Sequence, residues 1–388
     1  MFDASDSPTG LRALAFFLPQ FHPVPENDAF WGKGFTEWRN VVQARPRFPG
    51  HEQPHIPADL GFYDLRLAEV REAQADLAAR AGLSGFCYYH YWFSGQRLLH
   101  RPMDEILASG RPDFPFMLCW ANENWTRAWD GGANEVLLKQ HYSDADTKAH
   151  ARHLGPCLAD PRHIRVGGRP AFAVYNVDEI PCPRRWSDLF RKTVAAEIGI
   201  EPYLIRVERY LDETRDPPRA LGFDAALEFQ PFSRNFMAWQ KTRPDLKSHL
   251  GRRLKNRVMR DFRRAQPWRD FDRHHDMAAF TAFDICQPAP AYTCFPGVCP
   301  SWDNSARRPK GKAIIFKGSN PTLFEDWLAA KARAFQPPSA SENLLFINAW
   351  NEWAEGNHLE PCLRHGHNWL KAVRAGLTSA LAAPASTG

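Results

Sequence analysis

Glu352 and Glu355 stand three residues apart in NEWAEG (351–356), directly behind the apolar run NLLFINAW. On a continuous strand, residues three apart point to opposite faces, so both carboxylates reach one cavity only if the chain turns between them. Gly356 is the residue type that a sharp bend requires. Two carboxylates in one site repel and separate in pKa, leaving one proton donor and one ionised base near neutral pH. Cleavage of a glycosidic bond needs that pairing: an acid on the leaving oxygen and a base or nucleophile across the ring. The structural alternative is that either glutamate caps the helix that follows or pairs with an arginine.

Other apolar runs also finish in polar and aromatic residues. Tyr89 and Trp92 close GFCYYHYWF, Asn122, Glu123 and Trp125 close FPFMLCWANENW, Glu228 and Gln230 close AALEFQPF, and Trp302 and Asn304 fall in PGVCPSWDN. All nine are candidate substrate contacts, with Trp350 and Asn351 beside the glutamate pair. Asn351 can hold a sugar hydroxyl or orient Glu352. Trp125, Trp302 and Trp350 offer flat apolar faces to sugar rings, with ordinary packing as the alternative. Glu123 is a third carboxylate, whose alternative role is an ion pair with Arg127. His22 and Glu37 lie in QFHPVPENDAFWGKGFTEW, which reads as a long loop over the site, and His22 is a further candidate contact. Asp144 and Asp146 have the DxD spacing of a metal-chelating transferase, but Ser143 or Asp144 fits the N-cap of the helix that follows. HExxH spacing and a Gly-rich phosphate loop with a following lysine are both missing, so neither metal nor cofactor is expected.

Residues this scattered meet only if the fold gathers strand ends. Apolar β-rich runs occur at 11–21, 83–93, 114–125, 170–177, 202–208, 225–232, 291–304 and 343–353, with helical patterns at 64–82, 144–160, 184–199, 320–335 and 367–382. Strands alternating with helices predict a parallel sheet covered by helices. Eight units predict a closed (β/α)8 TIM-type barrel spanning about 11–382, where all the strand ends share one face. A doubly wound open sheet is the alternative, collecting polar ends only near its switch point. With no long Gly/Ser linker, residues 1–388 read as a single catalytic domain. It has a long loop after strand 1 and a basic helical excursion between strands 6 and 7.

That excursion, 241–273, holds twelve Lys and Arg against four Asp in a chain whose net charge is only +5. Leu246, Leu250, Leu254, Val258 and Phe262 form one apolar stripe with a basic opposite face. It is either a solvated face or a surface that meets phosphates, an anionic glycan or an anionic membrane. No nucleic-acid motif accompanies it, so nucleic acid is not an expected partner. Aromatic residues make up 13% of the chain, an excess that suits both core and sugar binding. No apolar run approaches the roughly 20 residues of a membrane helix. The start, MFDASDSPTG, lacks the basic and then apolar pattern of a secretory signal, so a cytoplasmic location is expected. The eight cysteines form no CxxC pair and mostly sit within or beside apolar runs, as buried free thiols do.

The segments FFLPQFHPVPENDAFWGKGFTEWRNV, GFCYYHYWF, CWANENWTRAWDG, YNVDEIP, PGVCPSWDNSARR and INAWNEWAEGNHLEP together resemble the WbsX-like family of polysaccharide-biosynthesis proteins. More distantly, the last is similar to the Asn-Glu-Trp-x-Glu-Gly element of glycoside hydrolase family 99, the endo-acting α-mannosidases and mannanases. The resemblance implies a (β/α)8 barrel and a retaining reaction on an oligosaccharide or polysaccharide, free or lipid-linked, in bacterial surface-polysaccharide or O-antigen metabolism. It implies that Glu352 draws the proton from the sugar's own 2-hydroxyl, and that Glu355 protonates the leaving group and then activates water or an acceptor. Two alternatives remain open at this level: a sugar-nucleotide-dependent glycosyltransferase, or a glycan-binding protein without catalysis.

Overall fold

The computed structural model describes residues 10–127, 132–209, 216–242 and 272–380. Most of the basic stretch 241–273 lies outside the described residues.

Eight strands form the barrel: β1 (Arg12–Phe17), β2 (Gly85–Phe93), β3 (Phe116–Trp120), β4 (Arg169–Val174), β5 (Tyr203–Glu208), β6 (Ala225–Glu228), β7 (Cys294–Phe295 and Gly297–Val298, interrupted at Pro296) and β8 (Leu344–Ile347). Seven of the eight fall within the apolar runs expected from sequence, and β4 begins one residue before the run 170–177. All neighbours are parallel, in the registers Phe16↔Cys87, Cys87↔Met117, Leu118↔Phe172, Phe172↔Leu204 and Ala225↔Ile205. The two halves of β7 close the ring, the first pairing with β6 (Ala226↔Cys294) and the second with β8 (Gly297↔Phe346), while β8 pairs with β1 (Ala15↔Ile347). Closure brings β6 against β7 so tightly that a Cβ at Gly297 would lie 2.0 Å from the Glu228 carbonyl oxygen. Only glycine fits there.

The strands are almost wholly buried because helices cover them outside and aromatic rings fill them inside. Phe16 stacks on Tyr89 (5.4 Å), meets Phe229 edge-on (5.4 Å) and packs on Phe346 (5.8 Å), and Phe229 in turn meets Tyr175 (5.2 Å). The five helices expected from sequence are present as Ala68–Arg80, Asp144–Ala159, Pro183–Ile198, Pro321–Ala334 and Asn368–Ser379. Ser143 caps the second of these, accepting from the Asp146 backbone N–H, while Asp144 pairs with Arg185. Shorter helices at Arg101–Ser109, Arg234–Thr242 and Met277–Ile285 were not anticipated.

The long loop after β1 carries the helices Pro25–Trp31 and Trp38–Gln43 and docks on the far end of the chain. Trp38 packs against Phe21, Tyr63 and Trp353. A small sheet stands at the same end of the barrel: Ile314–Lys317 pairs parallel with Arg273–Asp276 and antiparallel with Trp302–Asp303. All eight cysteines are free; five are buried, whereas Cys182 and Cys286 are exposed and Cys294 is half-buried. No helix among the described residues is long and apolar enough to cross a membrane.

Candidate active site

Past β8 the chain forms a short strand, Asn351–Glu352, then a single 3-10 turn, Trp353–Glu355, then Gly356 in the left-handed region (φ 57°). It returns antiparallel, with Glu352 opposite Asn357 and Asn351 opposite His358. This turn overcomes the alternation of a plain strand and brings Glu352 and Glu355 to one cleft of about 390 Å³. Asn351 anchors it: its Oδ1 accepts from the Leu18 N–H (2.7 Å), and its Nδ2 donates to the Leu18 carbonyl (3.0 Å) and the Tyr63 hydroxyl (3.2 Å). Beneath it, the Glu360 carboxylate accepts from Tyr63 (2.9 Å), Gln74 (2.7 Å) and the Trp353 indole (2.6 Å).

One guanidinium joins the acids. Arg307 donates through Nε to Glu37 (2.7 Å), through Nη2 to Glu352 (2.7 Å) and through Nη1 to Glu355 (2.9 Å). The Glu37 side chain is fully buried, and those of Glu352 and Glu355 are 7% and 19% exposed. Burial raises the pKa of both Glu352 and Glu355 above the usual carboxylate range, outweighing the Arg307 charge that pulls each down, and Glu37 nearby adds to the rise. Burial lowers the Arg307 pKa, but the three carboxylates overcome it and hold the guanidinium firmly charged. Glutamates sharing one cation in a dry site titrate as a unit. The arrangement can therefore hold a proton for a leaving group while keeping a second carboxylate as base.

The rest of the lining is aromatic and cationic. Tyr89, Tyr175 and Phe229 belong to it as the upper face of the barrel's aromatic filling, Trp125 stacks with Tyr91 (5.7 Å), and Trp302 meets Phe232 edge-on (4.7 Å). Such rings suit the apolar faces of sugars. Glu123 pairs with Arg209 (2.7 Å), whose guanidinium lies 4.4 Å from the centre of the Tyr175 ring. Asn304 reaches the cleft while its Oδ1 accepts from the Ile314 N–H (2.8 Å).

Of the residues singled out in sequence, Tyr89, Glu123, Trp125, Trp302, Asn304, Glu352 and Glu355 line the cleft. The other seven lie elsewhere. Trp92 donates to Asp146 (2.9 Å) and stacks on His150, beneath the outer helices. Asn122 is buried, bonded to the backbone of Asn176 and to Tyr142. Glu228 pairs with Lys331 (2.5 Å) and Gln230 donates to Asp284 (3.1 Å). Trp350 is fully buried against Phe86, Asn351 is occupied by Leu18, and His22 is buried away from the lining. Three of these displacements are a matter of parity. Tyr89 and Tyr91 face inward, so His90 and Trp92 face the helices; Phe229 faces inward, so Glu228 and Gln230 face out. Both faces of YYHYW are aromatic, so the sequence carried no signal for that choice. Arg307 lies in the quoted motif PGVCPSWDNSARR, and only the tertiary contact with Glu37 and the glutamate pair distinguishes it from the arginine beside it.

Residues 13–373 match the family described as Glycosyltransferase WbsX. Two sequences named Uncharacterized protein WxcX, from two strains of Xanthomonas campestris pv. campestris, are 44% identical over 374 residues. The match takes in 95% of this chain and 50% of each relative, so the chain spans about half the length of the curated relatives it matches. Among solved structures, a glycoside hydrolase-like protein superposes with a TM-score of 0.59 at 13% identity, covering 97% of this chain and 96% of the other. The GH99 endo-alpha-mannosidase of Bacteroides thetaiotaomicron superposes with a TM-score of 0.57 at 14% identity, covering 99% and 100%. These likenesses agree with the strand order in assigning a (β/α)8 barrel. With the match running from β1 to the final helix, the chain belongs to the WbsX glycosyltransferase family.

Proposed function

We propose that the chain acts on a glycosidic bond with Glu352 and Glu355 as its catalytic pair, with retention of anomeric configuration, in bacterial surface-polysaccharide metabolism. The observation that carries this reading is the pair itself: a buried and a half-buried carboxylate, both of raised pKa, turned into one aromatic cleft and joined through Arg307. Glu352 takes the proton of the sugar 2-hydroxyl as that oxygen bonds to the anomeric carbon. The anomeric bond to the leaving oxygen breaks, and Glu355 gives that oxygen its proton. In the second half an acceptor hydroxyl, or water, gives its proton to Glu355 and bonds to the anomeric carbon; the three-membered ring opens, and the 2-oxygen recovers its proton from Glu352. Two displacements at one carbon restore the original configuration. Because the pair shares its protons, each role follows from which face of the sugar a carboxylate meets. Trp125 and Trp302 are proposed to stack on sugar rings, with Tyr89, Glu123 and Asn304 as polar contacts. The family description favours transfer to an acceptor over hydrolysis.

The test is turnover of α-linked oligosaccharides and aryl α-glycosides, alone and with sugar acceptors, with products identified by mass spectrometry. Glu352→Gln and Glu355→Gln are each expected to lower turnover by about 10²–10⁴-fold, the usual contribution of a positioned acid or base. Activity that survives both substitutions overturns the assignment.

A further inference from the structure

Five cationic side chains line the cleft, Arg209, Arg273, Arg307, Arg308 and Lys312, against three carboxylates. Arg307 serves the glutamates, and Arg209 serves Glu123 and the Tyr175 ring. The other three belong to one wall, where the small sheet begins. Its backbone is tied down: the Arg273 N–H donates to the Ala313 carbonyl (2.9 Å), and Asp272 Oδ1 accepts from the N–H groups of Gly311 (2.7 Å) and Ala313 (2.9 Å). Arg47 fastens Asp272 (2.7 Å) to the carbonyls of Ser305 and Arg308. Among the described residues, Arg273 and Lys312 have no hydrogen bond or ion pair through their side chains. Gathering like charges on a fixed wall beside a recessed cleft costs self-repulsion, which an anionic ligand there reverses. Arg308 reaches towards Glu355, whose proton affinity its charge lowers.

We propose that the wall formed by Arg273, Arg308 and Lys312 binds a phosphate group carried by the substrate on the leaving-group side of the scissile bond, so that phosphate-bearing glycans are the substrate class. The leaving-group side rests on the role given to Glu355 above; the phosphate site itself does not. Arg273 and Lys312 match a phosphate monoester, with charge about −2 at neutral pH, better than the single charge of a uronate, and Arg308 adds to the field of the wall. The geometry of phosphate oxygens also suits the arginine fork.

The test is titration calorimetry of the full chain with inorganic pyrophosphate, and with glucuronate as the carboxylate probe. Variants are Arg273→Gln and Lys312→Gln, both exposed positions where folding is not at stake, together with Glu352→Gln. Pyrophosphate is expected to bind more weakly as salt rises, and each wall substitution to weaken it roughly three- to fivefold. Glucuronate is expected to bind at least tenfold more weakly. The proposal is overturned if pyrophosphate does not bind, if both wall variants leave its affinity unchanged, or if glucuronate binds as tightly. Pyrophosphate retained by Glu352→Gln, with no glycoside turned over by the wild type, keeps the phosphate site and removes the glycosidic reading. Glycoside turnover without pyrophosphate binding does the reverse.

Discussion

Replacing Arg307 with methionine removes a guanidinium that touches Glu37 and Glu352 at 2.7 Å and Glu355 at 2.9 Å. The hydrocarbon keeps much of the volume, so the change is electrostatic. A buried charge left without its partner costs about 3–5 kcal/mol. A carboxylate escapes that cost by keeping or taking up a proton. The pKa of Glu352 and Glu355, already above the unfolded value through burial, rises further in the variant. A group raised in the folded state contributes stability at low pH that is lost as pH rises through its folded pKa. Because burial already holds Glu352 at about 8 in the wild type, it keeps its proton in both proteins below that value, and the stability lost on Arg307→Met in urea unfolding is expected to be larger at pH 9 than at pH 7, by about 1.4 kcal/mol for each unit by which the variant's pKa exceeds the wild type's. A loss of equal size at both pH values, or none at either, refutes the reasoning.

Two other substitutions probe the turn that carries the glutamates. Gly356→Ala places a Cβ 3.1 Å from Asp303 Cβ and 3.2 Å from its carbonyl oxygen, at φ 57°; a stability loss of about 1–3 kcal/mol is expected. Because this turn aims Glu355, turnover should fall by more than that loss explains, and unchanged unfolding and turnover would show that the bend is not needed. Glu360→Gln puts an amide NH₂ among donors from Tyr63, Gln74 and Trp353, costing about 1–3 kcal/mol. Burial pushes Glu360 up to about 7, against the hydrogen bonds that lower it, so the wild type itself loses stability as pH rises through that value. The gap between the two proteins in thermal melts is expected to narrow from pH 5 to pH 8, and a widening gap would contradict the assigned shift.

Strand count and barrel closure were legible because a strand buried on both faces must be apolar along its length, and eight such runs with helices between them admit few arrangements. The placement of Glu352 and Glu355 was also legible, since Gly356 marks a turn and three-residue spacing makes sense at a cleft only with one. Parity was harder. GFCYYHYWF is rich on both faces of β2, so hydropathy does not say whether Tyr89 or Trp92 points inward, and the inward set followed only from closure of the ring. Glu123 pairs with Arg209, from the end of β5 two strands along the ring, while the side chain of Arg127, the partner expected from sequence, lies outside the described residues.

The sequence alone thus determined the elements, their number and the turn that carries two carboxylates, all consequences of local pattern and of the polarity each segment must bury or expose. Only the tertiary structure decided that Arg307 joins Glu37, Glu352 and Glu355, and that Arg273, Arg308 and Lys312 share a wall. Those contacts span up to 270 residues of chain, and local periodicity carries no information about which distant charges closure will bring together.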